Sequence, residues 1–539
     1  DMTSTDFAPE YHHGPEIARP AKGASGPMPE HVDVLIIGAG ISGVGMAYRL
    51  QERLPKLTYA IAEAREVSGG TWDLFRYPGV RSDSDMFTLS YPFKPWEGKD
   101  AIAEGGDILD YLRETADENG ISEHIYYQHK VVDANWSTPD QAWTITLDVK
   151  GKKRTVKANY VHLAAGYYDY DKGNDPEFVG RADFKGQIWH PQFWPEDAAY
   201  AGKKVVVIGS GATAATVVPA MAEEAEHVTM LQRTPSWMIP VPRRDKLINR
   251  LRPFAPSIVL HRYGRAKSIV QNTFIYQLSR VRPEAANNIV IGLQKGRIPE
   301  DVRKEHFTPS YNVWDQRLCA VPSADFFRAV NSGKVSVVTN TIDRFVPEGI
   351  KLSNGEVLEA DIIITATGLV LKPLGGATMS VDGKPVDLAT AYAYRGLMLG
   401  GVPNASMTVG YINSSWTLRA DLVSKFVTSL LKHMQDKGYG IAVPVAPEGM
   451  SSRPILDLAS GYIQRYIQAF PKVGSRAPWV MPQSYVRDMI DFGRAKVTDD
   501  MTFYKLGDAI TKLPESAQAP AESASAYADH PVVEVEAAS

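Results

Sequence analysis

The sequence predicts an α/β protein with two Rossmann-like dinucleotide-binding domains and an additional helical insertion. Two segments carry this prediction, "VDVLIIGAGISGVGMAYRLQERL" near the N-terminus and "KKVVVIGSGATAATVVPAMAEEAEHVTMLQRTP" about 170 residues later. Each reads as an apolar strand, a glycine-rich turn and a helix, which is the opening of a nucleotide-binding βαβ unit. The length of 539 residues agrees with more than one domain, because a single hydrophobic core rarely serves so long a chain.

Composition narrows the class of protein. Hydrophobic residues at 44% and charged residues at 22% are typical of a globular enzyme, and a formal net charge of -4 predicts no general attraction to nucleic acid. The single cysteine, Cys319, excludes an internal disulfide and a CxxC redox or zinc site, and we expect no metal centre. The sequence has no long apolar window and no signal-like N-terminus. We therefore expect a cytoplasmic protein without a transmembrane segment, although an already processed N-terminus would hide a signal.

The first glycine turn has the spacing G-x-G-x-x-G, with Gly38, Gly40 and Gly43 after an apolar strand. The first glycine permits the tight turn, the second lets the backbone approach a pyrophosphate, and the third lets helix and strand pack closely. The helix N-terminus, which includes Ser42, then offers free N–H groups to phosphates. Glu63 ends the next strand twenty residues after Gly43, where a carboxylate accepts hydrogen bonds from ribose hydroxyls. The alternative, a glycine turn without a ligand, is disfavoured by this acid.

The second glycine turn has the related spacing G-x-G-x-x-A, formed by Gly209, Gly211 and Ala214. A small residue at the third position satisfies the same helix-strand packing. Ala212 and Thr213 follow the second glycine, and we expect this helix start to face a second pyrophosphate.

Arg233 stands where the first unit has its acid, at the end of the second strand. A guanidinium binds a 2′-phosphate through bidentate, charge-assisted hydrogen bonds, so this site is predicted to take NADPH rather than NADH. One acid site and one arginine site together predict FAD at the first turn and NADPH at the second, with hydride transfer between them. Disulfide reduction needs a cysteine pair, which leaves O₂ as the natural electron acceptor.

The stretch "DFKGQIWHPQFWPED", just before the second turn, carries a resemblance to a known family. Phe184, Gly186, His190 and Trp194 stand as F-x-G-x-x-x-H-x-x-x-W-P, which resembles the fingerprint of type I Baeyer–Villiger monooxygenases. Flavin-containing monooxygenases carry a related motif without the terminal Trp-Pro. The segment "GGTWDLFRYPGVRSD", from Gly69 to Asp83, resembles a second motif of the same family at every fixed position.

These motifs occur in family order, together with "ATG" at 366–368, across about 30 to 370. Within the family, "WDQRLC" and "GYINSSWTLRADLV" are most similar to the actinobacterial branch that contains the ethionamide-activating monooxygenase. That similarity extends to about residue 495.

The resemblance implies a discontinuous first domain with the second domain inserted into it. We expect the FAD-binding domain to comprise 31–168 and 369–512, and the NADPH-binding domain to comprise 169–368 with a basic helical insertion at 243–306. The ends, 1–30 and 513–539, are rich in Pro, Ala, Ser and Gly and are predicted to be flexible.

The chemistry implied by the resemblance is oxygen insertion next to a ketone carbonyl, giving an ester or lactone. A C4a-peroxyflavin formed from reduced FAD and O₂ attacks the carbonyl, so the site needs a fixed cation and exclusion of water. Arg317 occupies the family's place for the active-site arginine, and Asp83 matches the aspartate that pairs with it. The alternatives are a surface ion pair of Arg317 with Asp315, and Asp85 as the partner carboxylate.

Four residues of the second motif are expected beside the isoalloxazine and ribityl chain of FAD; they are Gly69, Gly70, Thr71 and Trp72. His190 by itself suggests a general base. The family pattern instead implies that it supports NADPH-linked domain movement, and a packing role stays open.

One position departs from the family pattern. Many relatives have a lysine before the active-site arginine, whereas this chain has Gln316. Recognition of the 2′-phosphate would then rest on Arg233 with a hydroxyl from Thr234, and the preference for NADPH over NADH would be weaker.

Several alternatives stay open. The substrate is predicted to be a small apolar ketone or a sulfide, because the same scaffold also oxidises S and N atoms. An uncoupled NADPH oxidase and a non-catalytic dinucleotide sensor are further alternatives, and the oligomeric state is not predicted.

Residues 243–304 contain fourteen Lys or Arg against four Asp or Glu. The favoured interpretation of this excess of bases is a solvated helical face, and contact with a membrane surface is the alternative.

Overall fold

The computed structural model describes residues 17–316, 318–456 and 461–520. The helices, numbered in chain order, are α1 (Ile41–Arg53), α2 (Thr71–Leu74), α3 (Met86–Leu89), α4 (Gly105–Glu118), α5 (Ala212–Met221), α6 (Lys246–Leu251), α7 (Ser257–Val281), α8 (Pro283–Gln294), α9 (Glu300–His306), α10 (Asp325–Asn331), α11 (Trp416–Lys437), α12 (Gly461–Gln464) and α13 (Tyr485–Arg494).

The strands, numbered in the same way, are β1 (His31–Ile37), β2 (Tyr59–Ala62), β3 (Ile125–Tyr126), β4 (His129–Ser137), β5 (Ala142–Val149), β6 (Lys152–Leu163), β7 (Tyr168–Gly173), β8 (Gln187–Trp189), β9 (Lys204–Ile208), β10 (His227–Gln232), β11 (Met238–Val241), β12 (Cys319–Pro322), β13 (Val335–Thr339), β14 (Ile342–Val346), β15 (Gly349–Leu352), β16 (Val357–Glu359), β17 (Ile362–Thr365), β18 (Leu369–Leu371), β19 (Thr378–Val381), β20 (Lys384–Pro385), β21 (Ala393–Tyr394), β22 (Met398–Leu399), β23 (Ala405–Met407), β24 (Tyr439–Pro444), β25 (Arg453–Pro454), β26 (Lys472–Val473) and β27 (Met501–Lys505).

The first sheet has the order β20-β19-β4-β5-β6-β1-β2-β3, with β23 also paired to β6. The parallel strands β1 and β2 and the last four residues of β6 are buried on both faces, which explains the largely apolar runs "VLII", "YAIA" and "YVHL". Strand β23, from the last third of the chain, places Ala405 opposite Val161. The first sheet therefore contains strands from two segments of the chain, one before and one after the strands of the second sheet.

The second sheet has the order β13-β10-β9-β17-β8, and all of its strands are parallel. Helix α5 connects β9 to β10 in the βαβ arrangement that the glycine pattern predicts. Clusters of buried apolar side chains cover the sheet. The predicted fold class of two Rossmann-like domains is confirmed.

The chain passes between the two sheets through a short antiparallel ribbon. Strand β7 pairs with β18, with Leu371 opposite Tyr168 and Leu369 opposite Gly173. The predicted domain limits at 168 and 369 fall at this ribbon. The limits themselves stay a prediction.

Helices α6 to α9 form the predicted insertion between β11 and β12, which pair with each other in parallel. The long helix α7 packs against α8, and also against α3 and α13. Because α3 precedes the insertion in the sequence and α13 follows it, the insertion contacts chain segments from both sides of itself. Within 17–316, 318–456 and 461–520, no helix has the length and apolarity needed to cross a bilayer.

Candidate active site

A cavity of about 2370 Å³ joins the two glycine turns. Its lining includes Gly38, Gly40 and Ser42 from the first turn and Ala212 and Thr213 from the second. Pockets for single drug-sized ligands measure roughly 300–1,000 Å³, so this cavity has room for more than one small molecule. Its size suits a site where two dinucleotides and a substrate meet.

The glycines of the first turn are required by close backbone contacts. Gly38 has φ +106°, and a Cβ atom there would lie 2.6 Å from the carbonyl oxygen of Ala164. A Cβ atom on Gly43 would lie 1.9 Å from the carbonyl oxygen of Gly38. Gly40 precedes α1 without a side-chain cap, so the first N–H groups of the helix are available to phosphate oxygens.

Glu63 stabilises the first glycine turn through two hydrogen bonds to the backbone. Its Oε2 accepts a hydrogen bond from the Ala39 N–H at 2.8 Å, and its Oε1 accepts one from the Arg65 N–H at 2.9 Å. Burial raises the pKa of Glu63, and these N–H groups partly oppose that shift. Glu63 also lines the cavity, where the remaining lone pairs of its carboxylate are suited to ribose hydroxyls. The role at the ribose stays a prediction.

The beginning of the second motif lies against the first turn. An added Cβ on Gly40 would lie 3.6 Å from the Gly70 Cα, and Gly70 has φ +58°, a conformation that favours glycine. Thr71 and Trp72 start the short helix α2, and all three line the cavity. A Cβ atom on Gly69 would lie 2.1 Å from the Leu109 side chain. This geometry allows a flat ring system to approach the backbone, which is the role predicted for these residues.

The end of the same motif reaches the second domain. A Cβ atom on Gly79 would lie 2.8 Å from the Cβ of Ala220 on α5. Burial raises the pKa of Tyr77, and the Thr213 side chain at the second turn partly opposes that shift. The segment from Gly69 to Asp83 therefore links the two nucleotide turns, which the motif pattern did not indicate.

Asp83 is exposed and lines the cavity, as a residue that contacts substrate or cofactor must. Asp85 lines the same cavity and also caps helix α3, where its Oδ1 accepts from the Thr88 N–H at 3.2 Å and its Oδ2 accepts from the Thr88 hydroxyl at 3.0 Å. Burial raises the pKa of Asp85. Capping gives Asp85 a structural role in helix α3, and the pairing of Asp83 with the active-site arginine stays a prediction.

Arg317 lies outside the described residues, so its catalytic role stays a prediction. Trp314 and Leu318, close to it on either side in the sequence, line the same cavity as Asp83. Asp315, the alternative ion-pair partner, accepts a hydrogen bond from Arg280 at 3.1 Å.

The second turn is more open than the first. Gly209 has φ +124°, and a Cβ atom there would lie 2.3 Å from the carbonyl oxygen of Ala366 in the "ATG" segment. A Cβ atom on Gly211 would meet no heavy atom within 4 Å. Ala214 is fully buried, so alanine fits the third position.

Arg233 and Thr234 are exposed at the end of β10. Arg233 forms no hydrogen bond or ion pair with another residue in the described part of the chain, so its guanidinium is available to an external phosphate. The hydroxyls of Ser210 and Ser236 are 2.7 Å apart and connect the glycine turn to the segment after Arg233. Sequence reasoning missed this pair, because single serines in a turn carry no distinctive signal. The roles of Arg233 and Thr234 stay predictions.

The fingerprint segment lies along the edge of the second sheet. A Cβ atom on Gly186 would lie 2.2 Å from the carbonyl oxygen of Asp361, and Phe184 packs edge-on against Phe345. Trp194 packs edge-on against Trp189 of β8, with ring centroids 5.3 Å apart. These residues fix the strand that precedes the second glycine turn.

His190 packs against the ribbon that joins the two sheets. A Cβ atom on Gly173 of β7 would lie 2.3 Å from the His190 ring, whose Nδ1 accepts from the Gln192 N–H at 3.2 Å. Burial lowers the pKa of His190, and the charge of Asp175 partly opposes this shift. His190 is half-buried where the chain passes between the two sheets, and its role in domain coupling stays a prediction.

Two further contacts were not found from the sequence. Arg81 forms a buried ion pair with Asp325 of α10 and so joins the second motif to the second domain. Trp416 donates a hydrogen bond from Nε1 to the Ser42 hydroxyl at 2.7 Å, placing the start of α11 against the first turn. The segment "GYINSSWTLRADLV" contributed only to the family resemblance, because the fold that brings it to Ser42 is not visible in the sequence.

The structure and this site define a flavoprotein-like arrangement with two nucleotide turns opening on one cavity. A family model described as "Flavin-binding monooxygenase-like" matches residues 86–371, more than half of the chain, and an "NAD(P)-binding Rossmann-like domain" model matches 36–96. The sequence is 49% identical to "FAD-containing monooxygenase EthA" of Mycobacterium tuberculosis over 477 residues, which are 88% of this chain and 97% of that relative. The chain belongs to the flavin-binding monooxygenase family.

Solved structures of similar fold include an open form of cyclohexanone monooxygenase, with TM-score 0.66 and 23% identity over 77% of this chain and 90% of that one. A steroid monooxygenase bound to NADP gives TM-score 0.64 and 22% identity over 77% and 88% of the two chains. At these identities the likeness concerns the fold. It agrees with the predicted resemblance to Baeyer–Villiger monooxygenases.

Proposed function

We propose that the chain is a Baeyer–Villiger monooxygenase that holds FAD at the first glycine turn and uses NADPH at the second. Balanced for atoms and electrons, a ketone, O₂, NADPH and H⁺ give an ester or lactone, NADP⁺ and water. The observation that carries the proposal is the placement of Asp83 in the cavity that joins both turns, on a motif that contacts both domains.

The residues present fit both cofactors. The first turn combines a backbone that only glycine permits with the buried carboxylate of Glu63, which would accept hydrogen bonds from the ribose. The second combines an uncapped helix start with the exposed guanidinium of Arg233. Bound flavin would supply the two-electron reduction and the activation of O₂.

The chain's own contribution is charge and exclusion of water. A permanent cation such as Arg317 stabilises negative charge that develops on oxygen, without titrating near neutral pH. Asp83 would orient that guanidinium through a charge-assisted hydrogen bond. The aromatic lining, including Trp72, Tyr167 and Trp416, would limit the access of water to the reacting atoms.

A second candidate reaction is oxidation of a sulfur atom. It is supported by 49% identity to EthA and by the sequence resemblance to the branch with the ethionamide-activating enzyme, since ethionamide is a thioamide.

The test compares Arg317→Ala with the parent protein on matched aryl ketones and aryl sulfides, with products measured by mass spectrometry. We expect the variant to keep its flavin and its reduction by NADPH while ester formation falls by at least about a hundredfold, corresponding to about 3 kcal/mol of transition-state stabilisation. Arg154→Ala, at an exposed arginine of β6, is the matched control. Ester formation near the parent rate in Arg317→Ala would show that the assignment is wrong. A parent enzyme that oxidises only sulfides would favour the second candidate.

A further inference from the structure

The helical insertion carries a surface of exposed apolar side chains. On α6, α7, α8 and the turn after α6, large apolar residues face solvent, with Phe254 83% exposed and Val281 75% exposed. We call this surface the apolar rim; its residues are Leu247, Leu251, Phe254, Val259, Tyr263, Val270, Phe274, Val281, Ile289 and Leu293. Large apolar side chains exposed in such number on one insertion mark an interaction site more often than a solvated face does.

Helix α7 presents its part of the rim as one stripe. The exposed positions 259, 263, 270, 274 and 281 follow each other at intervals of four and seven residues. With 3.6 residues per turn, these positions fall on one side of the helix. The helix is 25 residues long and contains no Asp or Glu. It therefore has an apolar outward face without negative charge.

Basic residues surround the rim. Between Asp245 and Glu300 the sequence has one acidic residue, Glu284. Six exposed bases in this range form no ion pair within the described residues; they are Lys246, Arg250, Arg262, Arg282, Lys295 and Arg297. The chain as a whole carries a formal charge of -4, so positive charge is concentrated on this surface.

The rim also lies at an opening of the cavity. Leu247, Phe274, Ile289 and Leu293 are exposed and at the same time line the cavity that joins the two glycine turns. An apolar molecule entering here would meet these four apolar side chains, beside polar lining residues of α7 such as Lys267, Gln271 and Asn272.

We propose that the apolar rim docks on an anionic lipid bilayer, with this opening of the cavity facing the lipid. An apolar helix face flanked by Lys and Arg is the pattern of helices that lie in a membrane interface, and anionic lipids attract the flanking bases. A second copy of the chain fits less well, because a two-fold symmetric contact would bring two positive surfaces together. The proposal changes the solvated-face interpretation of the sequence. It does not depend on which reaction the site performs.

The docking has a consequence for the substrate. A molecule dissolved in the bilayer would reach the cavity without crossing water, which favours lipophilic ketones or sulfides over water-soluble ones. This consequence rests on the proposed function, whereas the docking itself does not.

The experiment uses the full chain with its flavin and measures flotation with vesicles. We expect binding to mixed phosphatidylglycerol–phosphatidylcholine vesicles, weaker binding to pure phosphatidylcholine, and loss of binding as salt is raised. Val270→Glu should weaken partitioning to the anionic vesicles by about tenfold, because it places a negative charge in the apolar stripe. The matched control is Val179→Glu on the second domain, since Val179 and Val270 are both 66% exposed. It should bind like the parent.

Two outcomes would overturn the proposal. The first is absence of vesicle binding, including the case in which light scattering shows a dimer that Val270→Glu dissociates. The second is equal binding of Val270→Glu and Val179→Glu. Consumption of NADPH with a water-soluble substrate should be unchanged in both variants, because neither residue lines the cavity, and this measurement shows that the variants are folded.

Discussion

The two glycine turns share one sequence pattern, but the protein holds them differently. At the first turn, a buried Glu63 accepts backbone hydrogen bonds on both carboxylate oxygens, and Gly70 packs against Gly40. At the second turn, Arg233 is exposed and Gly211 faces open space. The first arrangement suits a cofactor that stays bound, and the second suits one that is exchanged in each turnover. A βαβ pattern thus predicts that a nucleotide site exists. The burial of the side chains around the glycine turn indicates how firmly the nucleotide is held.

The largest expected difference between the turns comes from adding one methyl group to each. Gly43→Ala would place its Cβ 1.9 Å from the Gly38 oxygen, so we expect destabilisation by about 3 kcal/mol or more and loss of flavin. Gly211→Ala meets no neighbour and has φ -78°, so we expect a normal fold and flavin content but a raised KM for NADPH. Flavin absorbance, thermal unfolding and NADPH kinetics measure these effects. Loss of flavin in Gly211→Ala would contradict the distinction.

The next largest effect concerns the exposed arginine of the second turn. Arg233→Ala removes a charge-assisted contact to the 2′-phosphate, so kcat/KM for NADPH should fall by roughly 10- to 100-fold while that for NADH changes little. Arg154→Ala, another exposed arginine, should leave both values unchanged. An equal loss with NADH would mean that Arg233 acts on the fold and does not recognise the phosphate.

The sequence predicted the parts of the site that depend on local spacing. The two turns, Glu63 and the two family motifs are short patterns whose geometry is set within about thirty residues. It did not predict the pairs Arg81–Asp325 and Ser42–Trp416, which are 244 and 374 residues apart. Such contacts depend on how the domains pack, and no periodicity encodes them. The basic stretch at 243–304 was visible, but its exposed apolar stripe required knowledge of which helix face is covered.

A smaller effect is expected from the buried acid of the first turn. Glu63→Gln leaves one of the two backbone N–H groups facing an amide NH₂, so flavin affinity should fall by about tenfold. The pKa of Glu63 is raised from 4.5 in the folded protein, so the protonated acid is favoured by folding. In the apoprotein, this contribution is fully present below pH 4.5 and is lost as pH rises through the folded pKa. Chemical unfolding of the apoprotein at several pH values should show the parent losing stability relative to Glu63→Gln as the pH rises above 4.5. Parallel pH profiles would contradict the assignment.

The smallest expected effect tests the contact that the sequence did not reveal. Trp416→Phe removes the hydrogen bond to Ser42 but keeps an aromatic ring beside Tyr167, whose centroid lies 5.1 Å from that of Trp416. A neutral hydrogen bond contributes about 0.5–1.5 kcal/mol, so flavin release should accelerate by less than about tenfold. Ser42→Ala should have a similar effect, and the double variant should be no worse than either single one if the two side chains act through this bond. Additive effects would mean that Ser42 and Trp416 contact the flavin independently. In that case the tight binding of flavin at the first turn would depend on Glu63 and Gly70 and not on the Ser42–Trp416 hydrogen bond.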